Sequence, residues 1–230
     1  VKGAREAGIA AFTGDGQNPV VMEGAAKVIK ENGGMGIPTL KPWNLEVIRE
    51  KTELIKDAQP FAVAMDVDAA GLPFLKGLTP PAGGKTVQEL ADIIKTVNRP
   101  FIVKGIMSVK GALKAIEAGA SGIVVSNHGG RVLDQCPATA EVLPEIMDAV
   151  KGKVKIFVDG GIRSGTDIFK ALAIGADGVL IARPYVTAVY GGGEEGVKVF
   201  TEKFGEELKD TMSMCGAFSL KEITRDMVRL

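Results

Sequence analysis

KIFVDGGIRSGTDIFKALAIGADGVLIAR, residues 155–183, reads as one complete unit of a repeating fold. A short, mostly apolar run at 155–158 is followed by two glycines, a helical pattern over 166–174, and a second apolar run at 178–182. Such a sequence describes a strand buried on both faces, a crossover helix and a second strand parallel to the first. Gly175 stands where a left-handed helix C-cap wants a residue without Cβ, and Ser164 and Thr166 are N-cap candidates.

The unit recurs upstream. Strand-like runs lie at 8–12, 35–40, 61–67, 100–106 and 122–126, and helical patterns at 20–31, 45–57, 87–97, 109–118 and 138–150. A longer helix is expected over 194–214, and Gly33, Gly119 and Gly152 follow other helices as Gly175 does. Strands alternating with helices mean parallel pairing through right-handed crossovers. The units are short and regular, and no Gly-x-Gly-x-x-Gly follows the first strand. Both facts favour a (β/α)8 (TIM) barrel over a doubly wound sheet. Seven strands can be counted, however, and a helix-like segment at 2–7 opens the chain. The expectation is therefore one α/β domain over residues 1–230, N-terminally incomplete, with the first strand of the barrel absent from the sequence.

Composition narrows the function. The 230 residues are 46% hydrophobic and 24% charged, with 28 Lys plus Arg against 28 Asp plus Glu. That balance gives no electrostatic reason to expect nucleic acid or an anionic membrane as partner. No apolar run is long enough to insert in a membrane. Cys136 and Cys215 form no CxxC pair or Cys/His cluster, so no metal site is expected, and two thiols without a secretory signal suggest the cytoplasm. The Pro- and Gly-rich stretch 69–85 follows a strand and reads as a mobile lid, with an inert surface insertion as the alternative.

Four stretches carry chemistry. In Ser126-Asn127-His128-Gly129-Gly130-Arg131, the chain's single histidine sits at a strand's end. The imidazole is a base near neutral pH, the glycines admit a small molecule close to the backbone, and the arginine offers a planar fork for a carboxylate. A base beside a carboxylate clamp suits oxidation of a 2-hydroxy acid. In the second stretch Asp159, Gly160, Gly161 and Arg163 precede a helix, and the next strand ends at Ala182-Arg183. Amides, a helix N-terminus and two cations then make an anion site, against the plainer reading of generic tight turns. Lys104 lies within an apolar strand and is either functional or a snorkelling barrel lysine. Asp66 and Asp68, two apart in a strand, face one side; one of them orients His128, or both are turn and cap aspartates.

SNHGGRVLD, VDGGIRSGTDIFKALAIGADGVLIARP, PFIVKGI and MCGAFSLKEITRDMV together resemble the FMN-dependent 2-hydroxy-acid oxidases and dehydrogenases, a family that includes glycolate oxidase, lactate oxidase and mandelate dehydrogenase. The resemblance is close over 100–230 and looser over 1–99. It implies FMN as cofactor, a small 2-hydroxy acid such as lactate or glycolate as substrate, an electron acceptor of unknown kind, and a homo-oligomer. It further implies that His128 is the active-site base paired with Asp68, and that Arg131 binds the substrate carboxylate. Lys104 would lie at the flavin N1 and O2 edge and Ser126 would make a further flavin contact. The phosphate would rest on Asp159, Gly160, Gly161, Arg163, Ala182 and Arg183.

The chain departs from the family pattern at three places. No arginine follows Asp68 in Ala-Ala-Gly-Leu-Pro-Phe, Lys41 stands where members carry a tyrosine, and Asp66 stands where they carry a threonine. Lys41 is a candidate replacement for the missing cation at the substrate carboxylate. Another FMN-barrel activity, an isomerase or a dehydrogenase on a different substrate, and an inactive barrel fragment are the alternatives.

Overall fold

A computed structural model describes residues 1–75, 77–78 and 82–229. Seven strands, β1 (Ala11–Thr13), β2 (Gly36–Leu40), β3 (Val63–Asp66), β4 (Phe101–Ile106), β5 (Gly122–Val125), β6 (Lys155–Val158) and β7 (Gly178–Val179), form one parallel sheet in sequence order. The helices are α1 (Lys2–Glu6), α2 (Pro19–Glu31), α3 (Leu45–Lys56), α4 (Val87–Val97), α5 (Val109–Glu117), α6 (Thr139–Val150), α7 (Gly165–Ile174) and α8 (Arg183–Cys215).

Each strand sorts its side chains by period two. One set, including Leu40, Met65, Val103, Ile123, Val125 and Ile156, packs against the helices in the larger core. The other set, Ile37, Ala62, Ala64, Ile102 and Val124, forms a separate cluster on the opposite face, which Phe12, Phe157 and Leu180 join. Phe12 belongs to β1 and Leu180 follows β7, so the sheet curls until residues from both outer strands share one interior. The helical layer meets at the same place, with α1 packed on α8 and Lys2 paired to Glu194 at 2.6 Å. The result is a curled half-barrel, α/β throughout, whose β1 and β7 each have one strand partner.

Three expected boundaries move. Gly8, at φ +76°, closes α1 instead of opening a strand, with the Ile9 amide bonded back to Ala4. The run 178–182 pairs only over Gly178–Val179, with one further bond from Leu180 to Val158, because β7 has a neighbour on one side alone. The last helix begins at Arg183 rather than at 194, because it breaks and restarts at Gly192 and Gly193, where the backbone is not helical. The glycine run hid its first segment from a propensity reading.

The expected lid is only partly described. Residues 67–71 and 73–75 are short 3-10 turns, with Ala69, Leu72 and Leu75 buried in the larger core. Ala82 is buried too, and the Gly83 amide bonds the carbonyl of Pro42. The described flanks are thus fixed by packing; residues 76 and 79–81 of the expected lid lie outside the described residues.

Candidate active site

The C-terminal strand ends carry the polar residues. The alternation that puts Ile37, Ala64, Ile102, Val124 and Phe157 inside continues to Lys41, Asp66, Lys104, Ser126 and Asp159. Register brings these together: Asp66 lies opposite Lys104, and Thr39 and Leu40 lie opposite Ala64 and Met65, so Lys41 comes next to Asp66. The apolar interior is therefore capped by a layer of charges.

Lys104 is held in that layer and does not snorkel. Its Nζ donates to Ser126 Oγ at 2.7 Å and meets Asp159 Oδ2 at 3.1 Å. These partners offset the cost of an ammonium within a strand. A register shift between Lys104 and Ile106 places Gly105 at φ +97°. A Cβ there would come within 2.5 Å of Asp68 Cγ, so only glycine lets the Asp68 side chain lie across β4.

Asp68 is not in the strand, as its spacing from Asp66 suggested. β3 ends at Asp66 and Asp68 belongs to the following 3-10 turn, yet the polar atoms of Asp66, Asp68 and His128 all lie within 4.8 Å of one another. Asp68 Oδ2 is 3.0 Å from His128 Nδ1, and Arg131 Nη2 is 2.7 Å from His128 Nε2. A guanidinium can only donate, so Nε2 carries the lone pair and Nδ1–H donates to Asp68. The expected trio is thus assembled with the imidazole in the tautomer of a base.

The loop is shaped to do this. His128 itself has φ +57°, a left-handed conformation that costs a non-glycine residue about 1–3 kcal/mol and is stored at functional sites. Its amide donates to Ser126 Oγ at 3.1 Å. Asn127 braces the loop, accepting from the Gly130 amide and donating to the Pro137 carbonyl. Arg183 Nη2 donates to the Gly129 carbonyl at 3.0 Å, and a Cβ on Gly129 would sit 2.2 Å from that nitrogen.

Lys41 and Asp66, the two departures noted in the sequence, are partners: Lys41 Nζ donates to Asp66 Oδ2 in a buried ion pair. Burial pushes the Asp66 carboxyl up, while the Lys41 ammonium pulls it back. Lys41 is therefore not a free cation waiting for a substrate carboxylate. The one grouping of three His or carboxylate side chains among the described residues is Asp66, Asp68 and His128, and Asp66 within it bonds the Lys41 ammonium.

The helix N-terminus expected to share in the anion site needs a correction. The N-terminus of α7 is already occupied by its own acids: Asp167 Oδ2 accepts from the Arg163 and Ser164 amides and the Ser164 hydroxyl, and Glu207 Oε2 accepts from the Gly165 amide. The Ser164 hydroxyl in turn caps the Asp167 amide. The helix end is thus closed to an anion. The amides of Gly160 and Gly161 donate to no group among the described residues, and the guanidiniums of Arg163 and Arg183 are exposed beside them at adjacent strand ends. Ala182, also exposed, is the N-cap of α8.

Sequence reasoning missed Asp15. It lies buried beyond β1 and accepts from the Gly16 and Lys41 amides, Trp43 Nε1 and Lys51 Nζ, fixing the loop that carries Lys41. The one available signal was an aspartate between glycines directly after a strand.

A family model described as FMN-dependent dehydrogenase matches residues 41–230. The chain belongs to the FMN-dependent dehydrogenase family. Among curated members it is similar to a peroxisomal (S)-2-hydroxyacid oxidase of Arabidopsis thaliana, 48% identical over 63% of this chain and 39% of that protein. It is also similar to glycolate oxidase of Spinacia oleracea, 47% identical over 56% of this chain and 35% of that protein. The match thus spans little over a third of these curated relatives' length. Among solved structures, mandelate oxidase superposes with a TM-score of 0.82 at 30% identity, covering 97% of this chain and 71% of that one.

The residues present fit the cofactor in this family's name. The Oδ1 atoms of Asp66, Asp68 and Asp159 and the hydroxyl of Thr13 are buried without partners, all at the C-terminal ends of strands. Buried polar atoms left open at strand ends are able to bond a polar ring or its substrate. A paired lysine, two free glycine amides and two exposed arginines lie along the same rim, suited to an FMN-dependent dehydrogenase.

Proposed function

We propose that the chain belongs to an FMN-dependent oxidase or dehydrogenase that converts a small 2-hydroxy acid to its 2-oxo acid. The observation that carries this is the line Asp68, His128, Arg131, in which the Nε2 lone pair of a base is covered by a guanidinium that a substrate carboxylate would draw away. Arg131 takes the substrate carboxylate in its planar fork, which sets the neighbouring hydroxyl-bearing carbon against Nε2. His128 accepts a proton from the substrate there. Asp68 holds the ring and stabilises the imidazolium that results. FMN, when bound, supplies the two-electron acceptor. Lys104, Ser126, Asp159, Gly160, Gly161, Arg163, Ala182 and Arg183 would hold it, with Lys104 offering positive charge to the reduced ring.

The barrel is proposed to close with one more parallel strand between β1 and β7, supported by the open edge of each and by α1 packing on α8. A homo-oligomer is supported by Val186, Val189 and Tyr190, exposed apolar side chains at helical spacing on α8. The free thiols of Cys136 and Cys215 support a reducing compartment such as the cytoplasm.

The test is an anaerobic spectrum of the flavin-loaded protein, titrated with a panel of 2-hydroxy acids. Bleaching by at least one acid is expected, slowed about 10²- to 10⁴-fold in His128→Ala with flavin still bound. Bound flavin that no 2-hydroxy acid bleaches would mean a different reaction on the same scaffold.

A further inference from the structure

We propose that Asp66 is a positioning residue for the base: it holds the Lys41 ammonium at the mouth and cancels that charge at His128, so a lysine can stand in the site without weakening the imidazole. The proposal rests on reading His128 as the base.

The geometry is specific. Asp66 is 3% exposed, one of its oxygens takes Lys41, and its polar atoms lie within 4.8 Å of those of Asp68 and His128. Lys41 is itself locked, its amide on Asp15 and its ammonium on Asp66. An uncompensated ammonium, one carboxylate removed from the imidazole, would oppose its protonation. The base would then hold a proton less well in the step that needs it. Asp66 and Lys41 together present no net charge, leaving Asp68 as the carboxylate that acts on the ring.

The other charged groups around His128 are already committed. Asp68 comes from the turn after β3 and bonds Nδ1; Arg131, on the same loop, bonds Nε2. Lys104 on β4 reaches Ser126 and is balanced by Asp159 beyond β6. Arg183 of α8 bonds the Gly129 carbonyl. Only the Lys41 charge requires Asp66 as its counterweight.

His128 is the chain's single histidine, so its ring proton resonances report on it alone. The experiment is an NMR pH titration of the FMN-loaded protein, its Asp66→Asn variant, and the double variant Asp66→Asn/Lys41→Met. The imidazole midpoint is expected to fall by about one pH unit in Asp66→Asn, where the ammonium is left alone, and to return close to the parent value in the double variant. The acid limb of kcat/KM should move the same way. If Asp66→Asn folds poorly, Asp66→Ser leaves room for water at the ammonium and carries the same expectation. An unmoved midpoint in the single variant, or an equal fall in the double, overturns the role of Asp66. Flavin that no 2-hydroxy acid bleaches overturns instead the reading of His128 as base.

Discussion

Gly105 shows how much a single residue can decide. Its positive φ and its lack of a Cβ, which would come within 2.5 Å of Asp68 Cγ, let a carboxylate from the turn after β3 lie across β4 and reach the imidazole. Gly105→Ala therefore strains the backbone and pushes Asp68 aside at once. We expect a stability loss of about 1–3 kcal/mol in urea melts. The rate of flavin reduction should fall further than stability explains, because His128 loses the partner that fixes its tautomer. Unchanged reduction kinetics in a folded Gly105→Ala protein would contradict the role given to Asp68. At this scale the sequence was legible where chemistry is compact. His128 and Arg131 announce themselves by standing three apart between glycines at a strand's end. The pairing of Lys41 with Asp66 was not legible, because it depends on the register between β2 and β3, which no single-chain spacing encodes. Asp15 stayed hidden for the same reason: its partners come from two later segments.

The helices are fixed at their ends. α4 begins with a capping box in which Thr86 and Glu89 bond each other's backbone. Bonds from the Thr86 amide and hydroxyl hold the Glu89 carboxyl below the usual carboxylate range. A depressed carboxyl lends stability that is present above its unfolded value and lost as pH falls through the folded one. Glu89→Gln should thus lower thermal stability at neutral pH, by less as the pH falls below the ordinary glutamate range, and cost nothing once the pH lies below the depressed folded value. Equal losses at both pH values would show that the bond, not the charge, is what matters. Short strands and their crossover helices were readable because apolar runs and amphipathic patterns differ in period. The end of α7 was misread: a glycine turn followed by a helix start looks the same whether the amides await a phosphate or are already taken by Asp167 and Glu207.

For the whole molecule, the curl of the sheet predicts a gradient of protection. β3, β4 and β5 have partners on both sides, whereas β1 and β7 have one each. Hydrogen exchange should be slowest in Phe101–Ile106 and Gly122–Val125 and fastest in Ala11–Thr13 and Gly178–Val179. Outer strands as protected as β4 would mean that another segment already pairs with them. The α/β class was legible from repetition, and the curl from the short regular units without Gly-x-Gly-x-x-Gly; that Phe12 and Leu180 meet in one cluster was not, since it joins strands far apart in the chain. The charges inside the mouth, by contrast, largely answer one another: Lys41 with Asp66, Lys104 with Asp159. The guanidiniums of Arg131, Arg163 and Arg183 are exposed on the rim, and none is matched to a carboxylate among the described residues. A chain of zero net charge thus carries a local positive face, so a small anion meets an attractive field before it touches anything, and its capture should slow as ionic strength rises.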